Sequence, residues 1–333
     1  MPTCKAGHHR PSSLSPHSRP WTAPTVTTAF VTGACSISLG VVGGHVAVAM
    51  SDHDQESRAE VSALTKEVCV TDQNRAILVT GASGGIGRAV CTRLAQAGHS
   101  LVLAARDETR LRALCDHLSS VRPGSYGWIS VDMSSDASVA SFADQLAAKG
   151  TVLDGAVVMP PQPPPTNDCL PASDTWRELF QASFIGPLAL LKAAISVMQP
   201  DPAHGRRSKI VIVSGMSSVQ VLGHYATSNV LRCSWLAEAK TLAFALGDRG
   251  IHVNTLSLGG TLTPDYSASL EKRALNAGVT IDQRLAEETS NIPLKKYGTP
   301  EEVAVAVEGL LSAFSDHMTG VNLLHDGGFT RAY

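Results

Sequence analysis

A glycine-rich turn is the first place where residue types and spacing in this sequence point to chemistry. It reads Thr-Gly-Ala-Ser-Gly-Gly-Ile-Gly over residues 80–87, between an apolar run at 76–79 and an amphipathic stretch that begins at Arg88. Glycines at such a junction let a pyrophosphate approach bare backbone and rest on the N-terminus of the following helix. The turn therefore predicts a nucleotide-binding site. Its predicted contact residues are Gly81, Ser83, Gly85, Ile86 and Gly87.

The end of the second predicted strand indicates which nucleotide is bound. This strand, 100–105, is followed by Arg106, and the nearest acid is Asp107. Enzymes that prefer NAD usually place a carboxylate here to accept from the ribose 2′-hydroxyl, whereas a guanidinium can hold a 2′-phosphate with two hydrogen bonds. The sequence therefore favours NADP(H) over NAD(H). Asp132, after the third strand, is placed either to accept from the adenine amino group or to cap the next helix.

Tyr225 is the candidate proton donor, and polar residues flank it. Ser214 lies 11 residues before it, Asn229 four residues after it and Arg232 seven residues after it. Seven helical residues turn through about 700°, roughly 20° short of two turns, so Tyr225 and Arg232 are expected on one helix face. A guanidinium about 4 Å from a phenolate, at an effective dielectric near 20, stabilises it by on the order of 4 kcal/mol. Arg232 would supply that charge and could also bind the cofactor by hydrogen bonds to its ribose hydroxyls, whereas Asn229 can orient a water or a ribose without adding charge.

A parallel sheet must position these candidates. From Asn74 onward, short apolar strands alternate with helices, a pattern typical of a parallel sheet covered on both faces. The sequence predicts one α/β domain over residues 74–333, with a Rossmann-type, doubly wound sheet of seven strands. The predicted strands are 76–79, 100–105, 126–131, 155–159, 209–213, 251–256 and 321–325, and the predicted helices include 107–118, 138–148, 176–198 and 225–246.

Two segments are expected to form the walls around a substrate. Residues 264–291 carry Tyr266, Leu270, Leu275 and Leu285 at roughly helical spacing, which predicts an amphipathic pair of helices that closes as a lid. The proline-rich residues 160–165 predict a stiff wall on the opposite side.

Taken together, the glycine turn, Tyr225 and the ending Asp326-Gly327-Gly328 resemble the short-chain dehydrogenase/reductase family over residues 75–329. The resemblance implies hydride transfer with a nicotinamide cofactor and an active site of Asn, Ser, Tyr and Lys. In that site Tyr exchanges the proton, Ser polarises the substrate oxygen and Lys holds the nicotinamide ribose. The resemblance also implies a homodimer or homotetramer built on the two long helices. The further cofactor-binding residues that it implies are Val158, Gly259, Thr261 and Thr263.

The active-site positions depart from the family's main branch. Asn229 stands where that branch has its Lys, and Ser183 stands at the helix Asn. The spacing of Ser214 and Arg232 from Tyr225 is similar instead to that of the enoyl-acyl carrier protein reductases, whose Lys follows Tyr by seven residues. The second active-site tyrosine of that branch falls on Gly215. Lesser candidates for the chemistry are Ser217, Ser218 and His224.

Two functions stay open at this point. One is an NADP(H)-dependent oxidoreductase that reduces a carbonyl or a conjugated alkene of a small organic molecule, or runs the reverse oxidation. The other is a catalytically degenerate NADP(H)-binding protein or sensor, which the altered active-site positions favour.

Composition argues against other classes of protein. The formal net charge is −2 over 333 residues and there is no basic stripe, so no nucleic-acid partner is expected. The seven cysteines are scattered without metal-ligand spacing, which predicts no metal site and a reducing, cytoplasmic location.

The N-terminal residues differ from the rest. Residues 1–49 are interpreted as a disordered or non-native extension, and residues 50–73 as a linker. Residues 29–50 contain no Asp, Glu, Lys or Arg, and this length suffices to cross a bilayer. Scattered glycines make the run only weakly apolar, so no membrane partner is expected. A membrane-associated or exported protein is the alternative.

Overall fold

A seven-stranded parallel sheet organises the C-terminal part of the chain. The structure, a computed structural model, describes residues 38–42, 45–49 and 75–331. The strands of the sheet are β1 (Arg75–Thr80), β2 (Leu101–Ala105), β3 (Tyr126–Ser130), β4 (Val152–Val158), β5 (Ser208–Gly215), β6 (Ile251–Leu258) and β7 (Asn322–His325). They lie in the order β3-β2-β1-β4-β5-β6-β7, and every neighbouring pair is parallel. The predicted fold class is confirmed.

Helices cover both faces of this sheet. They are α1 (Gly85–Gln96), α2 (Glu108–Val121), α3 (Asp136–Ala148), α4 (Ser173–Phe180), α5 (Gly186–Ser196), α6 (Ala226–Leu246), α7 (Pro264–Ala277), α8 (Ile281–Glu288) and α9 (Pro300–Leu311). Helices α7 and α8 are the amphipathic pair that the sequence predicts.

Each face of the sheet holds its own apolar core. Leu78 and Val79 are neighbours in β1, yet Leu78 belongs to the core that includes Trp235 of α6 on one face, and Val79 belongs to the core that includes Leu94 of α1 on the other. Consecutive side chains of a strand point to opposite faces, so a strand buried on both faces needs apolar residues throughout. This explains why the strands are nearly continuous apolar runs.

The strand order places the glycine turn at the point where the winding of the sheet reverses. β1 lies between β2 on one side and β4 on the other, so the chain winds outward in both directions from it. In open α/β sheets, the crevice at the carboxyl ends of the strands on either side of this point is where ligands bind. The turn at residues 80–87 directly follows β1 and therefore lies at this crevice.

Helices α4 and α5 are joined without a break by a π-helical turn, Gln181–Ile185. Within the described residues, the combined run Ser173–Ser196 is long and apolar enough by length and composition to span a membrane, with a mean hydropathy of 1.4. Its residues Leu190, Leu191 and Ala194 are buried in the core beside the sheet. A third of the apolar window is buried in this way.

The N-terminal unit contains a short hairpin that the sequence does not predict. Strands Ser38–Val42 and His45–Ala49 pair antiparallel, with Ser38 opposite Ala49. The chain divides into two compact units, residues 1–70 and 71–333, and the hairpin belongs to the first. The remaining residues of the predicted extension and the predicted linker 50–73 lie outside the described residues.

Candidate active site

The glycine turn has the geometry that phosphate binding requires. Gly81 has a φ of +61°, and a Cβ added to Gly87 would lie 2.1 Å from the carbonyl oxygen of Gly81, so only glycine fits at position 87. Helix α1 begins directly after Gly84, which contributes no side-chain cap, and its first turn holds no acidic residue. The N–H groups at the start of α1 thus have no side-chain partner, which leaves them free to bind an anion.

The residues after β2 leave one guanidinium free. Asp107 caps α2 by accepting a hydrogen bond from the Arg110 N–H at 3.0 Å and pairs with the Arg110 side chain at 3.3 Å. Its carboxylate is therefore engaged within the helix. The exposed Arg106 side chain makes no hydrogen bond or ion pair with any described residue. Hydrogen bonds from Ser134 hold the pKa of Asp132 below its usual value, and the charge of nearby Arg106 contributes in the same direction.

A cavity of about 510 Å³ opens beside the glycine turn, at the carboxyl ends of β4, β5 and β6. It brings together residues that the sequence separates by as many as 243 positions, from Ile86 to Phe329. Among its lining residues, those that the sequence predicts for the cofactor or the chemistry are Ile86, Ser214, Tyr225, Arg232, Gly259, Thr261 and Thr263.

Tyr225 lines this cavity and is the residue immediately before α6, whereas the sequence predicts it inside the helix. Its φ of −125° and ψ of 41° are not helical, and its N–H donates to the carbonyl of Leu222 at 3.0 Å. Thr166, in the loop after β4, accepts from the Ala226 N–H at 3.1 Å and donates its own N–H to His224 at 2.9 Å. The backbone of Tyr225 is therefore held from both sides.

Arg232 lines the same cavity, where it is partly buried and carries a positive charge. Burial lowers the pKa of its guanidinium to about 10, with neighbouring Tyr225 acting in the opposite direction, so it stays charged at neutral pH. Its side chain forms no hydrogen bond or ion pair with any described residue. The guanidinium lies against the backbone of Gly215, where a Cβ would stand 3.0 Å from both Cζ and Nε. Glycine at this position makes the room that the guanidinium occupies.

Ser228 is a site residue that the sequence analysis missed. Its side chain is 1% exposed, lines the cavity and has no hydrogen-bond partner among the described residues, and the same holds for Ser214 at 4%. Ser228 precedes Arg232 by four residues, which places the two side chains on one face of α6. The same interval separates Tyr from Lys in the family's main branch. Counting back from Arg232 rather than forward from Tyr225 would have found Ser228.

Two predicted residues turn out to do something else. The Asn229 amide accepts from the Leu222 N–H at 3.2 Å and donates to the Leu222 carbonyl at 3.1 Å, and it does not line the cavity. It holds the loop that leads into Tyr225, rather than a water or a ribose. Val158 is fully buried in the core, since it is the last residue of β4 with its side chain on the core face. Met159 and Pro160 line the cavity instead.

The loop after β6 connects the cofactor end of the cavity to the lid. Thr263 caps α7 by accepting from the Tyr266 N–H at 3.2 Å. A Cβ on Gly85 would lie 2.8 Å from Pro264 and 3.1 Å from Thr263, so the start of the lid packs against the glycine turn. A ligand that binds at the turn would therefore touch the base of the lid.

A charged network ties the two lid helices together. Glu288 on α8 accepts hydrogen bonds from Arg273 on α7 at 2.9 and 3.1 Å, and from Arg284 at 2.8 Å. The Tyr266 hydroxyl donates to Glu288 at 3.0 Å, and Tyr297 lies within 3.3 Å of both. Because Tyr266, Glu288 and Tyr297 line the cavity, this network forms one of its walls.

The lesser candidates are dispersed around the cavity. Ser217 and His224 line it, with the His224 ring centroid 4.4 Å from that of Tyr225. The Ser218 hydroxyl is hydrogen-bonded to the Ser257 hydroxyl at 3.1 Å, and Ser218 does not line the cavity. Ser183 lies in the π-helical turn, where its carbonyl accepts from the Trp235 indole at 2.8 Å. The backbone carbonyl of Ser183 therefore helps to hold α6 in place.

The fold and the cavity define a class of oxidoreductase, and comparison with known proteins gives the family. The family model described as enoyl-(acyl carrier protein) reductase matches residues 81–330. The chain belongs to the short-chain dehydrogenase/reductase family of oxidoreductases.

Relatives found by the comparison are identical to this chain at about a quarter of the aligned residues. Glucose 1-dehydrogenase from Gluconobacter oxydans is 27% identical over 76% of this chain and 91% of its own. The structure of L-sorbose reductase from Gluconobacter frateurii, in complex with NADPH and L-sorbose, shares the fold with a TM-score of 0.72 at 23% identity, covering 78% of this chain and 98% of that one. An NADPH-bound short-chain oxidoreductase from Pseudomonas aeruginosa, described as having an atypical catalytic center, is 25% identical with a TM-score of 0.67 over 78% and 98% of the two chains.

Proposed function

We propose that this protein is an NADP(H)-dependent oxidoreductase that interconverts a carbonyl and an alcohol on a small organic substrate, with Tyr225 as the proton donor. The observation that carries the proposal is that Tyr225, Ser214 and Arg232 line one cavity together with Ile86 of the glycine turn and with residues of the loop after β6. The names of glucose 1-dehydrogenase and L-sorbose reductase describe carbonyl and alcohol chemistry. This favours a carbonyl over the conjugated alkene that the sequence also allows.

The described residues fit a dinucleotide. The free N–H groups of α1 and the bare backbone of Gly81 and Gly87 suit the pyrophosphate, and Arg106 suits a 2′-phosphate because its guanidinium has no other partner. The NADPH complexes of two structural neighbours agree with this preference. Gly259, Thr261 and Thr263 would hold the nicotinamide end, and when bound the nicotinamide supplies or receives the hydride.

The residues of the chain manage the proton and the charge. In the reductive direction the Tyr225 hydroxyl donates its proton to the substrate oxygen as that oxygen becomes negative. Arg232 stabilises the phenolate that is left, because the two groups interact in a buried cavity where the effective dielectric is low. The buried Ser214 hydroxyl, which has no hydrogen-bond partner among the described residues, would give a second hydrogen bond to the same oxygen.

The test of this function is turnover by the Tyr225→Phe variant. Against a panel of small ketones and aldehydes with NADPH, the substitution should lower kcat at least a hundredfold and leave the affinity for NADPH nearly unchanged, since it removes only the acidic proton. Tyr126→Phe is a matched control, because Tyr126 lies at the start of β3 and its hydroxyl donates to the Arg122 carbonyl. An unchanged rate in Tyr225→Phe would rule out the assigned role.

One observation favours a second candidate function. The position that carries Lys in the main branch, Asn229, has both amide groups bound to Leu222 and supplies no charge to the cavity. A catalytically degenerate NADP(H)-binding sensor fits this. Tight NADPH binding combined with no turnover on any substrate of the panel would favour the sensor.

A further inference from the structure

Arg232 is a cation that has no partner among the described residues. Its planar guanidinium carries five N–H donors, and no described residue accepts a hydrogen bond from any of them. Among the described residues, the one ionisable group that affects the pKa of Arg232 is Tyr225, and its protonated hydroxyl carries no charge. Arg232 is partly buried in the cavity. A partly buried charge with neither counter-ion nor hydrogen bonds is unfavourable, so this group is expected to meet an acceptor when the site is filled.

The carboxylates of the cavity are already engaged elsewhere. Glu288 is held by Arg273 and Arg284 in the lid network. Asp326 accepts from the backbone N–H of Gly328 at 2.9 Å and of Thr330 at 2.8 Å. Neither acid bonds to Arg232, so the described part of the cavity leaves its positive charge uncompensated.

Further donors converge on the same place. Ser214 and Ser228, both more than nine-tenths buried, line the cavity with unpartnered hydroxyls. Ser228 lies in the first turn of α6, a helix of 21 residues that has no side-chain cap and no acidic residue in that turn. The positive end of the helix dipole adds to the charge of Arg232 there. This combination of donors favours a negatively charged group.

A nicotinamide cofactor does not fully satisfy these groups. The ribose hydroxyls can accept from one edge of the guanidinium, but they carry no charge and cannot match all five N–H donors. A carboxylate has two oxygens at the spacing of the guanidinium fork and supplies the missing charge, which makes it the natural acceptor.

We propose that Arg232, together with Ser228, binds a carboxylate of the substrate, while Ser214 keeps its place at the substrate carbonyl. The substrate class is then a short oxo acid, with its carbonyl at Tyr225 and its carboxylate at Arg232, because these two residues are neighbours in one cavity. The carbonyl part of this statement rests on the proposed function. The carboxylate part does not, since it depends only on the cavity.

The test uses a probe that cannot react. Oxamate has the size and charge of a short oxo acid, and oxamide is its neutral counterpart. Each is titrated by calorimetry into the full chain, in the presence and in the absence of saturating NADPH. The variants are Arg232→Gln and Ser228→Ala. The matched controls are Arg249→Gln, an exposed arginine, and Ser234→Ala on the same helix, whose hydroxyl bonds to the Val230 carbonyl.

The wild-type protein should bind oxamate at least tenfold more tightly than oxamide. Arg232→Gln should weaken oxamate binding at least tenfold and leave oxamide unaffected, and Ser228→Ala should weaken oxamate binding by about threefold to tenfold. Both controls should match the wild-type protein. In turnover assays, 2-oxo acids should exceed their methyl esters in kcat/KM for the wild-type protein and lose that advantage in Arg232→Gln.

Equal oxamate affinity in the wild-type protein and Arg232→Gln would overturn the proposal. So would a loss of NADPH affinity in Arg232→Gln with oxamate binding unchanged, because Arg232 would then serve the cofactor alone. If oxamate binding depends on Arg232 but no oxo acid is turned over, the carboxylate site stands and the oxidoreductase function fails. The two claims are thus separable.

Discussion

At the scale of single residues, Tyr225 and Ser228 each match one property of the active-site tyrosine in the family's main branch. Ser228 has that tyrosine's interval to the cation at 232, and Tyr225 lies just before α6 and reaches the cavity from there. The smaller serine at 228 leaves an unpartnered hydroxyl in the cavity, where the main branch would have a ring. The proposed proton donor, Tyr225, and the cation, Arg232, therefore come from different local structures, and the position of Tyr225 depends on what fixes the loop before α6.

Gly215 gives a prediction at this scale. Its φ of −140° and ψ of 159° suit any residue, so Gly215→Ala should fold normally. The added Cβ would meet the Arg232 guanidinium at 3.0 Å, closer than ordinary contact, and the guanidinium must move. We expect kcat/KM to fall about tenfold, with the melting temperature unchanged within about 2 °C. Gly223→Ala, with open space at its Cβ, is the control and should keep full activity. Full activity in Gly215→Ala would show that the position of the guanidinium is not critical.

The sequence predicts some of these residues and not others, for a physical reason. Tyr225, Ser214 and Arg232 were found because they follow a known spacing, and the structure places all three at one cavity. The role of Asn229 was not found, because its partner Leu222 lies in a loop whose conformation no periodicity reveals. The placement of Tyr225 inside a helix was wrong by one residue, since the capping of that end depends on Thr166 in a distant loop.

At the scale of elements, the lid is held by a charge network whose pH dependence can be worked out. Burial by itself raises the pKa of Glu288, but hydrogen bonds from Arg273, Tyr266 and Arg284 outweigh it, so the pKa lies below the ordinary value of 4.5. A carboxyl whose pKa is lowered by folding stabilises the folded state above its unfolded pKa. That contribution is lost as the pH falls through the folded value.

The measurement is the melting temperature of the wild-type protein minus that of Glu288→Gln, taken from pH 8 to pH 3. The difference should be constant down to about pH 5 and should shrink below about pH 4.5, as Glu288 takes up its proton. Charge-assisted hydrogen bonds of about 1.5–3 kcal/mol, at about 2–4 °C per kcal/mol, should make it several degrees at neutral pH. Glu287→Gln, whose exposed carboxylate pairs with Arg284 alone, should show a smaller difference. A difference that does not vary with pH would contradict the network.

The elements themselves follow from the sequence more closely than their details do. Every strand of the sheet was predicted to within three residues at each end, because a parallel sheet buried on both faces imposes continuous apolar runs. The helix 176–198 was predicted as uninterrupted, whereas the structure contains a π-helical turn at Gln181–Ile185. A π-helical turn holds one extra residue, which composition does not reveal. The distant Trp235 stabilises this turn by donating a hydrogen bond to the Ser183 carbonyl.

At the scale of the whole molecule, apolar side chains on the two long helices predict self-association. Phe244 on α6 is 83% exposed, and Val230 on α6 and Ile185 at the start of α5 are also exposed. These helices are the surfaces that the family resemblance assigns to the oligomer. Light scattering after size exclusion should give a dimer or tetramer, and Phe244→Glu should lower the mass.

Leu275→Glu is the matched control for this experiment, since Leu275 lies on the lid and is 80% exposed. It should leave the mass unchanged, because the lid is not on the predicted interface. A wild-type monomer, or a Phe244→Glu variant with unchanged mass, would contradict the oligomer.

The central claim is that the chain binds NADP(H) in a crevice built by the glycine turn and Arg106, and the direct measurement is calorimetric titration of NADPH and NADH, separately, into the full chain. The wild-type protein should bind NADPH with micromolar affinity and at least tenfold more tightly than NADH. Arg106→Ala should lose that preference by weakening NADPH alone, because the proposed partner of Arg106 is the 2′-phosphate, which NADH lacks. No binding of either nucleotide would contradict the account and leave a family fold that does not use its cofactor site.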